Sequence, residues 1–149
     1  MKKFIYIIIL CVAALSTSCD KWPENGDLDG QWQLTELTPA GEDTQNVRSQ
    51  GIYWNVQLNL LVIHTTREPL NGRTFNTSVL FERKGSVLRL TALYIHDFSS
   101  DELVTDPNTT AFEWTGIYGN QAEFHIERLD DNRMVLVSDR ATLRFRKLG

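Results

Sequence analysis

Apolar and polar side chains alternate along most of the chain after residue 30, which is the pattern of strands with one buried face. The clearest run spans residues 52–62. Its apolar members occupy the even positions, namely Ile52, Trp54, Val56, Leu58, Leu60 and Val62. Because polar side chains occupy most of the odd positions, the run predicts one strand with a buried and a solvated face.

Seven further segments show the same strand period. They are residues 30–38, 75–81, 88–94, 112–114, 122–126, 134–136 and 141–145. Turn signals such as Lys84-Gly85 and Gly119-Asn120 separate several of them. No long helical segment intervenes, so the chain predicts an all-β fold of eight strands, an up-and-down antiparallel barrel or a sandwich.

Three connections are long, at residues 39–50, 64–72 and 96–110. In an up-and-down barrel, successive connections alternate between the two ends. The predicted strand order therefore places the 39–50 connection at one end, with the tight turns at 84–85, 119–120 and 138–140. The other two long connections are predicted at the opposite end.

The inward-facing positions carry many large aromatic side chains. They are Trp54, Phe75, Phe81, Tyr94, Phe112, Trp114, Phe124 and Phe145. One interpretation is a filled core, since a small barrel has little spare volume. The other is a ligand pocket lined by Trp54 and Trp114, in which Thr77 and Tyr94 supply the few polar groups that such pockets use.

The N-terminus has the order of a secretory signal peptide. Two lysines give it a basic start, residues 4–15 form an uncharged apolar run, and small residues precede Cys19. The run is shorter than the roughly 18 apolar residues of a membrane span. The stretch Leu15-Ser16-Thr17-Ser18-Cys19 resembles the lipobox of bacterial lipoproteins, which implies cleavage before Cys19 and a lipid on its sulfur. An ordinary signal peptide, cut without lipidation, is the main alternative.

The predicted organisation is a lipoprotein signal peptide over residues 1–18, a lipid-anchored tether over 19–29 and a barrel domain over 30–149. Cys11 leaves with the signal, so Cys19 is the only thiol of the mature chain, and a lipid would occupy it. The resemblance implies attachment to the cell envelope, and we expect the outer membrane, on either of its faces.

The net charge of the mature chain limits the classes of partner that it can bind. Two of the 15 basic side chains lie in the signal, and the other 13 stand against 19 acidic ones. An acidic, unclustered balance argues against nucleic acid as a partner and against a polybasic membrane contact.

The stretch Leu28-Asp29-Gly30-Gln31-Trp32-Gln33-Leu34 opens the first strand. Its Gly30-x-Trp32 pattern, combined with eight strands, resembles the first motif of the lipocalin family. The mature domain as a whole resembles the small lipocalin-like domains of bacterial envelope lipoproteins. This resemblance implies that Trp32 plugs one end of the barrel beneath an arginine of the last strand, Arg144 or Arg146. It also implies a lid at residues 39–50 and a small apolar ligand in the interior.

The sequence carries no pattern that indicates catalysis or metal binding. His64, His96 and His125 stand apart, without the short spacings of zinc sites. The acidic residues between positions 97 and 113 do not match a calcium-binding loop. There is no Gly-x-Ser-x-Gly and no glycine-rich phosphate loop. We therefore expect no enzyme activity, no catalytic residue, no metal site and no cofactor.

Two functions remain open. In the first, the protein is a non-enzymatic binding lipoprotein that holds a small apolar ligand at the barrel mouth, gated by residues 39–50. In the second, it is an interaction or inhibitor module, and an envelope protein binds the connections 64–72 and 96–110. The second predicts an exposed apolar patch on those connections, at Leu103, Val104 and Pro107.

Overall fold

The computed structural model describes residues 25–66, 76–96 and 100–149. Within them the chain forms ten strands, together with three short 3-10 helices at Gly26–Leu28, Arg48–Gln50 and Glu113–Thr115. The strands are β1 (Gly30–Pro39), β2 (Gln45–Asn46), β3 (Ile52–Gln57), β4 (Leu60–Thr65), β5 (Asn76–Lys84), β6 (Val87–His96), β7 (Asp101–Leu103), β8 (Ala122–Leu129), β9 (Arg133–Val137) and β10 (Ala141–Leu148). In these ranges no helix has the length and apolar composition needed to cross a bilayer.

Eight of the strands close into an antiparallel barrel in the order β1-β3-β4-β5-β6-β8-β9-β10, and β10 pairs with β1 again. The closing pair is long, running from Gln31 opposite Leu148 to Pro39 opposite Ala141. The short strands β2 and β7 add to β1 and β6 outside this ring. Closure removes the open edges that a flat sheet would expose. The predicted all-β, eight-stranded antiparallel barrel is confirmed.

The run at 52–62 is a hairpin, so its prediction as one strand is wrong. β3 ends at Gln57, β4 begins at Leu60, and these two residues pair across a two-residue turn. The apolar alternation continues through the turn, but it no longer marks the interior. Leu58 and Leu60 are 49% and 38% exposed, whereas Leu61 is buried at 1%. Asn59 is a residue type that favours turns, but no glycine or proline stands beside it, so the sequence gives only a weak sign of this hairpin.

The predicted strand at 112–114 does not form. Glu113–Thr115 is a 3-10 helix that ends at Gly116, whose φ of 85° favours glycine. Phe112, Thr115 and Ile117 are all fully buried. One strand is therefore lost here and one gained at the hairpin, which is why the predicted count of eight still holds.

The additional hairpin changes which connections share an end. The turns at 58–59, 85–86 and 130–132 lie at the end where β1 begins, called here the closed end. The connections that follow β1, β4, β6 and β9 all lie at the opposite end, called here the open end. The prediction that the long connections divide between the two ends is wrong, and all three meet at the open end.

A β-bulge at Thr91 reverses the side-chain alternation of β6. The register with β5 shifts by one residue at this point. Leu90 before the bulge and Leu93 after it are both fully buried, although their positions differ in parity. Tyr94 stands opposite Ser78, so it lies on the outer face of the sheet. The prediction that Tyr94 faces the interior is therefore wrong.

The barrel interior is one apolar cluster. Its largest fully buried side chains are Trp32, Trp54, Phe112 and Phe124. The buried polar side chains of the described ranges are Gln33, Thr77 and Thr115. A polar group inside an apolar core requires a hydrogen-bond partner to offset its lost hydration, so these exceptions direct attention to the interior wall.

Candidate functional site

Two of the four predicted ligand residues meet inside the barrel. Trp54 on β3 pairs with Ile63 on β4, which pairs with Thr77 on β5, so the three share one row of the inner wall. Trp54 is fully buried and Thr77 is 2% exposed. Tyr94 lies on the outer face, as the bulge requires. Trp114 belongs to the segment at the open end, where its indole Nε1 donates to the Ala111 carbonyl oxygen at 2.8 Å.

The Trp54 ring spans the interior toward the opposite wall. Its centroid lies 4.9 Å from that of Phe145 and 6.3 Å from that of Phe124, at angles of 56° and 69°. Tilted and edge-on ring contacts of this kind fix the orientation of an aromatic side chain. The indole Nε1 is buried and has no acceptor among the described residues. A rigidly held donor is thus buried among apolar side chains.

Two hydroxyl groups near this donor also lack partners. Thr77 Oγ1 and Thr65 Oγ1 are buried and form no hydrogen bond within the described part of the chain. Thr65 pairs with the fully buried Ile52, so both threonines face inward from adjacent strands. Leaving such a group unpaired costs about 1–3 kcal/mol. One wall of the barrel therefore carries three buried polar atoms without a partner among the described residues.

Sequence reasoning missed Thr65 because it ran β3 and β4 together. Counting parity from Trp54 through a single strand places position 65 on the outer face. Once the turn at Leu58-Asn59 is known, the parity of β4 reverses and Thr65 falls beside Ile63 on the inner face.

Residues 112–117, the open-end segment, pack into the barrel mouth. Phe112, Thr115 and Ile117 are buried, and the Thr115 hydroxyl donates to the Phe112 carbonyl at 2.7 Å. Gly116 lies so close to the inward-facing Leu143 that a Cβ there would stand 2.1 Å from Leu143 Cδ2. The predicted lid at 39–50 lies at the same end and contributes the buried Val47. Two segments therefore cover the mouth.

Trp32 lies at the closed end and is fully buried. Its indole Nε1 donates to the Leu28 carbonyl at 2.8 Å. The cation above its ring is Lys147, with Nζ 5.0 Å from the ring centroid, because Lys147 is the residue that pairs with Trp32 across β1 and β10. The prediction of Arg144 or Arg146 in this position is wrong. Arg146 donates to Gln33 instead.

Ser78, His96 and Asp101 form a hydrogen-bonded chain that sequence reasoning missed. His96 contacts the Ser78 hydroxyl through Nε2 and the Asp101 carboxylate through Nδ1. This is the connectivity of a serine-hydrolase triad. In such triads the carboxylate is buried, whereas the side chains of Asp101 and His96 here are 63% and 33% exposed. Water competes for both hydrogen bonds. The three side chains therefore form a surface link that joins β5, β6 and β7.

The other histidines stay apart from the interior. His64 stacks on Tyr53 with a centroid separation of 5.3 Å and contacts the Asn55 amide, and desolvation by burial lowers its pKa. His125 is exposed on β8. Among the described residues, no three His, Cys, Asp or Glu side chains are grouped to hold a metal ion.

Comparison with known proteins identifies the family. A sequence model of the lipocalin-like domain matches residues 13–148. The chain belongs to the lipocalin-like domain family. The resemblance predicted from Gly30-x-Trp32 is thereby confirmed. No curated protein matches the chain.

Two solved structures have the lipocalin-like fold of this chain. A lipocalin-like protein from Bacteroides uniformis ATCC 8492 is 19% identical, with a TM-score of 0.60 over 83% of this chain and 100% of that one. An uncharacterized protein from Bacteroides eggerthii DSM 20697 is also 19% identical, with a TM-score of 0.56 over 80% of this chain and 98% of that one. At this identity the likeness shows the fold alone.

Proposed function

We propose that this lipocalin-like domain is a lipid-anchored, non-enzymatic binding protein of the bacterial cell envelope. Its ligand would be a small, mainly apolar molecule with an oxygen-bearing polar end, held inside the barrel. The observation that carries the proposal is the set of unpaired atoms on the inner wall, Trp54 Nε1, Thr65 Oγ1 and Thr77 Oγ1. A packed core would not need polar atoms there, and apolar residues would be more stable.

The chemistry of the wall restricts the ligand. Trp54 Nε1 can only donate a hydrogen bond, so it requires an acceptor such as a carbonyl, carboxylate or ether oxygen. The threonine hydroxyls can donate or accept, so each fits a donor or an acceptor of the ligand. The other buried side chains of the interior are mainly apolar, and an eight-stranded barrel is either filled by its side chains or holds one small ligand. Access would require movement of the open-end segment or of residues 39–50.

Catalysis is not part of this proposal. The unpaired interior groups are hydroxyls and an indole, and none of them is a general base or an activated nucleophile. No cofactor is required for binding of this kind. The hydrogen-bonded side chains Ser78, His96 and Asp101 lie outside the barrel, because Ser78 is on the opposite face of the sheet from Thr77.

The place of action follows from Cys19, which lies outside the described residues, as does the signal at 1–18. The lipobox-like stretch supports cleavage before Cys19 and lipid attachment to its thiol. The outer membrane is the proposed site. Residues 25–29 of the predicted tether pack beside the closed end, where Leu28 is 1% exposed.

A second candidate function rests on Leu103, which is 46% exposed on β7. An envelope protein could dock on this side of the open end, as the interaction hypothesis requires. Pro107 is also exposed, whereas Val104 packs against the core. Residues 67–72 of the other proposed contact lie outside the described residues, as does Phe75, which was predicted to face the interior. The patch is small, so we place this function second.

Native mass spectrometry of the mature protein from its own host tests the two functions. We expect a retained mass of lipid size in the wild type. Thr77→Val should weaken retention by about tenfold, since one hydrogen bond contributes about 1–1.5 kcal/mol. Ser78→Ala is the matched control, because the neighbouring side chain points outward.

The two candidate functions predict different outcomes. Equal retention in Thr77→Val and the wild type would contradict a ligand at the inner wall. A wild-type protein without any small molecule, but with a protein partner that is lost in Leu103→Ala, would replace the first function with the second.

A further inference from the structure

Exposed apolar side chains are concentrated at the closed end. The large hydrophobic residues that are exposed in the described ranges are Leu58, Leu60 and Leu103, at 49%, 38% and 46%. Leu58 and Leu60 belong to the β3–β4 hairpin, at the closed end, and only Leu103 lies near the open end. Both leucines stay exposed beside the described part of the chain, although burial of either would stabilise the protein.

Leu58 also holds an unfavourable backbone conformation. Its φ is +56°. Among the described residues, every other positive φ belongs to a glycine. Glycine adopts this conformation without steric cost, whereas a leucine side chain opposes it. The turn therefore keeps an exposed apolar side chain at a position where glycine would be easier. Such strain at a surface position is a mark of function.

A groove of about 430 Å³ lies beside this hairpin. Its lining includes Asn25, Leu58, Phe81, Arg83 and Lys84. Arg83 and Lys84 are exposed, and neither forms an ion pair with another described residue. An apolar tip next to unpaired cations matches the boundary between lipid tails and headgroup phosphates.

The groove is lined by two cations and one carboxylate, so its net charge is positive. Arg83 donates to the carbonyl oxygens of Asn25 and Gly85, at 2.8 and 3.1 Å, so its positive charge is positioned but not neutralised. Glu82 also lines the groove and stands opposite Arg89 across the β5–β6 pair, but the Arg89 guanidinium is paired with Glu123 at 2.6 Å.

The predicted tether, residues 19–29, leads to the same groove. Asn25 lines the groove, and its side chain donates to the Leu58 carbonyl at 2.6 Å. Cys19 precedes Asn25 by six residues. Even a fully extended chain of that length spans at most about 20 Å. A lipid on Cys19 would therefore hold the bilayer within about 20 Å of the hairpin tip.

We infer that the closed end is the membrane-contact face of the protein. Leu58 inserts at the boundary of headgroups and acyl chains, Arg83 and Lys84 contact phospholipid phosphates, and the open end points away from the bilayer. This orientation rests on the proposed lipid anchor. It also means that the barrel mouth exchanges its ligand with the surrounding solution and not with the membrane that holds the protein.

Site-specific fluorescence on the lipidated full-length mature protein tests the orientation. The lipid occupies the thiol of Cys19, so Leu58→Cys and Leu103→Cys each provide a single site for an environment-sensitive dye. The labelled proteins are placed in phosphatidylethanolamine vesicles, with or without phosphatidylglycerol. We expect a blue shift and quenching by lipid-attached nitroxides at position 58, and neither effect at position 103.

The cations are tested separately. Phosphatidylglycerol should increase the quenching at position 58, and Arg83→Gln combined with Lys84→Gln should remove that increase. Arg140→Gln, at the open end, is the matched control and should leave it unchanged. Because Arg83 also bonds to turn carbonyls, Lys84→Gln alone provides a second variant without that contact.

Four results would overturn the inference. A dye at position 58 that behaves as in water shows that the closed end does not touch the bilayer, and quenching at position 103 alone reverses the orientation. If phosphatidylglycerol increases the quenching at position 58 equally in the wild type and in both cation variants, Arg83 and Lys84 do not contact the phosphates. If intact-mass measurement finds no lipid on Cys19, the proposed anchor itself fails, and this orientation falls with it.

Discussion

Thr77 combines two properties that rarely occur together, since it is 2% exposed and its hydroxyl has no partner in the described residues. Thr115 is equally buried, but its hydroxyl donates to the Phe112 carbonyl at 2.7 Å. The two threonines therefore separate the effect of burial from the effect of an unmade hydrogen bond. This contrast gives the unpaired inner wall an energetic test that does not require the ligand.

Thr77→Val should raise the free energy of unfolding of ligand-free protein by about 1 kcal/mol, because valine removes an unpaired polar group without changing the shape. Thr115→Val should lower it by about 1 kcal/mol, because a made hydrogen bond is lost. Urea unfolding measures both values. A loss of stability in Thr77→Val similar to that in Thr115→Val would show that the Thr77 hydroxyl has a partner.

The sequence predicted the inner wall correctly where the strands are regular. Trp54 lies before the turn and Thr77 lies before the register shift, so simple parity places both inside. Tyr94 follows the bulge at Thr91, and a single inserted residue moves every later side chain to the other face. No residue type marks that bulge, so parity could not have placed Tyr94 correctly.

At the scale of elements, both errors of strand assignment concern chain reversals without a clear signal. The hairpin at Leu58-Asn59 has no glycine, and the 3-10 helix at Glu113–Thr115 is too short to show a helical period. The errors cancelled in the strand count but not in the connections. The arrangement of the two ends, and with it the open-end segment, required the structure.

The open-end segment depends on Gly116 for two separate reasons. Its φ is +85°, and a Cβ would stand 2.1 Å from Leu143 Cδ2. Gly85 has a φ of +60° but open space around it. Gly85→Ala therefore measures the backbone effect alone, and Gly116→Ala measures the backbone effect together with the clash.

Gly116→Ala should lower the free energy of unfolding by about 1–3 kcal/mol more than Gly85→Ala does, because the added methyl group overpacks the mouth. The same variant should expose Trp114 more to soluble quenchers, since the segment that carries it is displaced. Equal destabilisation by the two substitutions would mean that the segment does not pack tightly on Leu143.

At the scale of the whole molecule, the strands close into a barrel and the N-terminal segment carries the proposed anchor. β1 begins at the closed end, so any tether attached there approaches from the side opposite to the mouth. The sequence alone predicted the tether before β1 and the lid at 39–50 after it, and therefore at opposite ends of the barrel. It could not place the other two long connections at the end of the lid, because their position depends on the unrecognised hairpin.

Cys19→Ala should release the protein from the membrane fraction of its host, because a chain without that thiol cannot carry the lipid. Cys11→Ala is the matched control, since Cys11 lies within the predicted signal and should not affect the location. Fractionation with intact-mass analysis of the mature chain measures both. Continued membrane association of Cys19→Ala would contradict the proposed anchor.

The pairing of β1 with β10 brings the two ends of the barrel sequence side by side, with Gln31 opposite Leu148. A short linker could therefore join them, and the ring could be reopened at the 138–140 turn, as circular permutation exploits in other domains. The new ends would lie at the mouth. A lipid anchor attached at that position would reverse the orientation of the barrel, so that its mouth would face the bilayer.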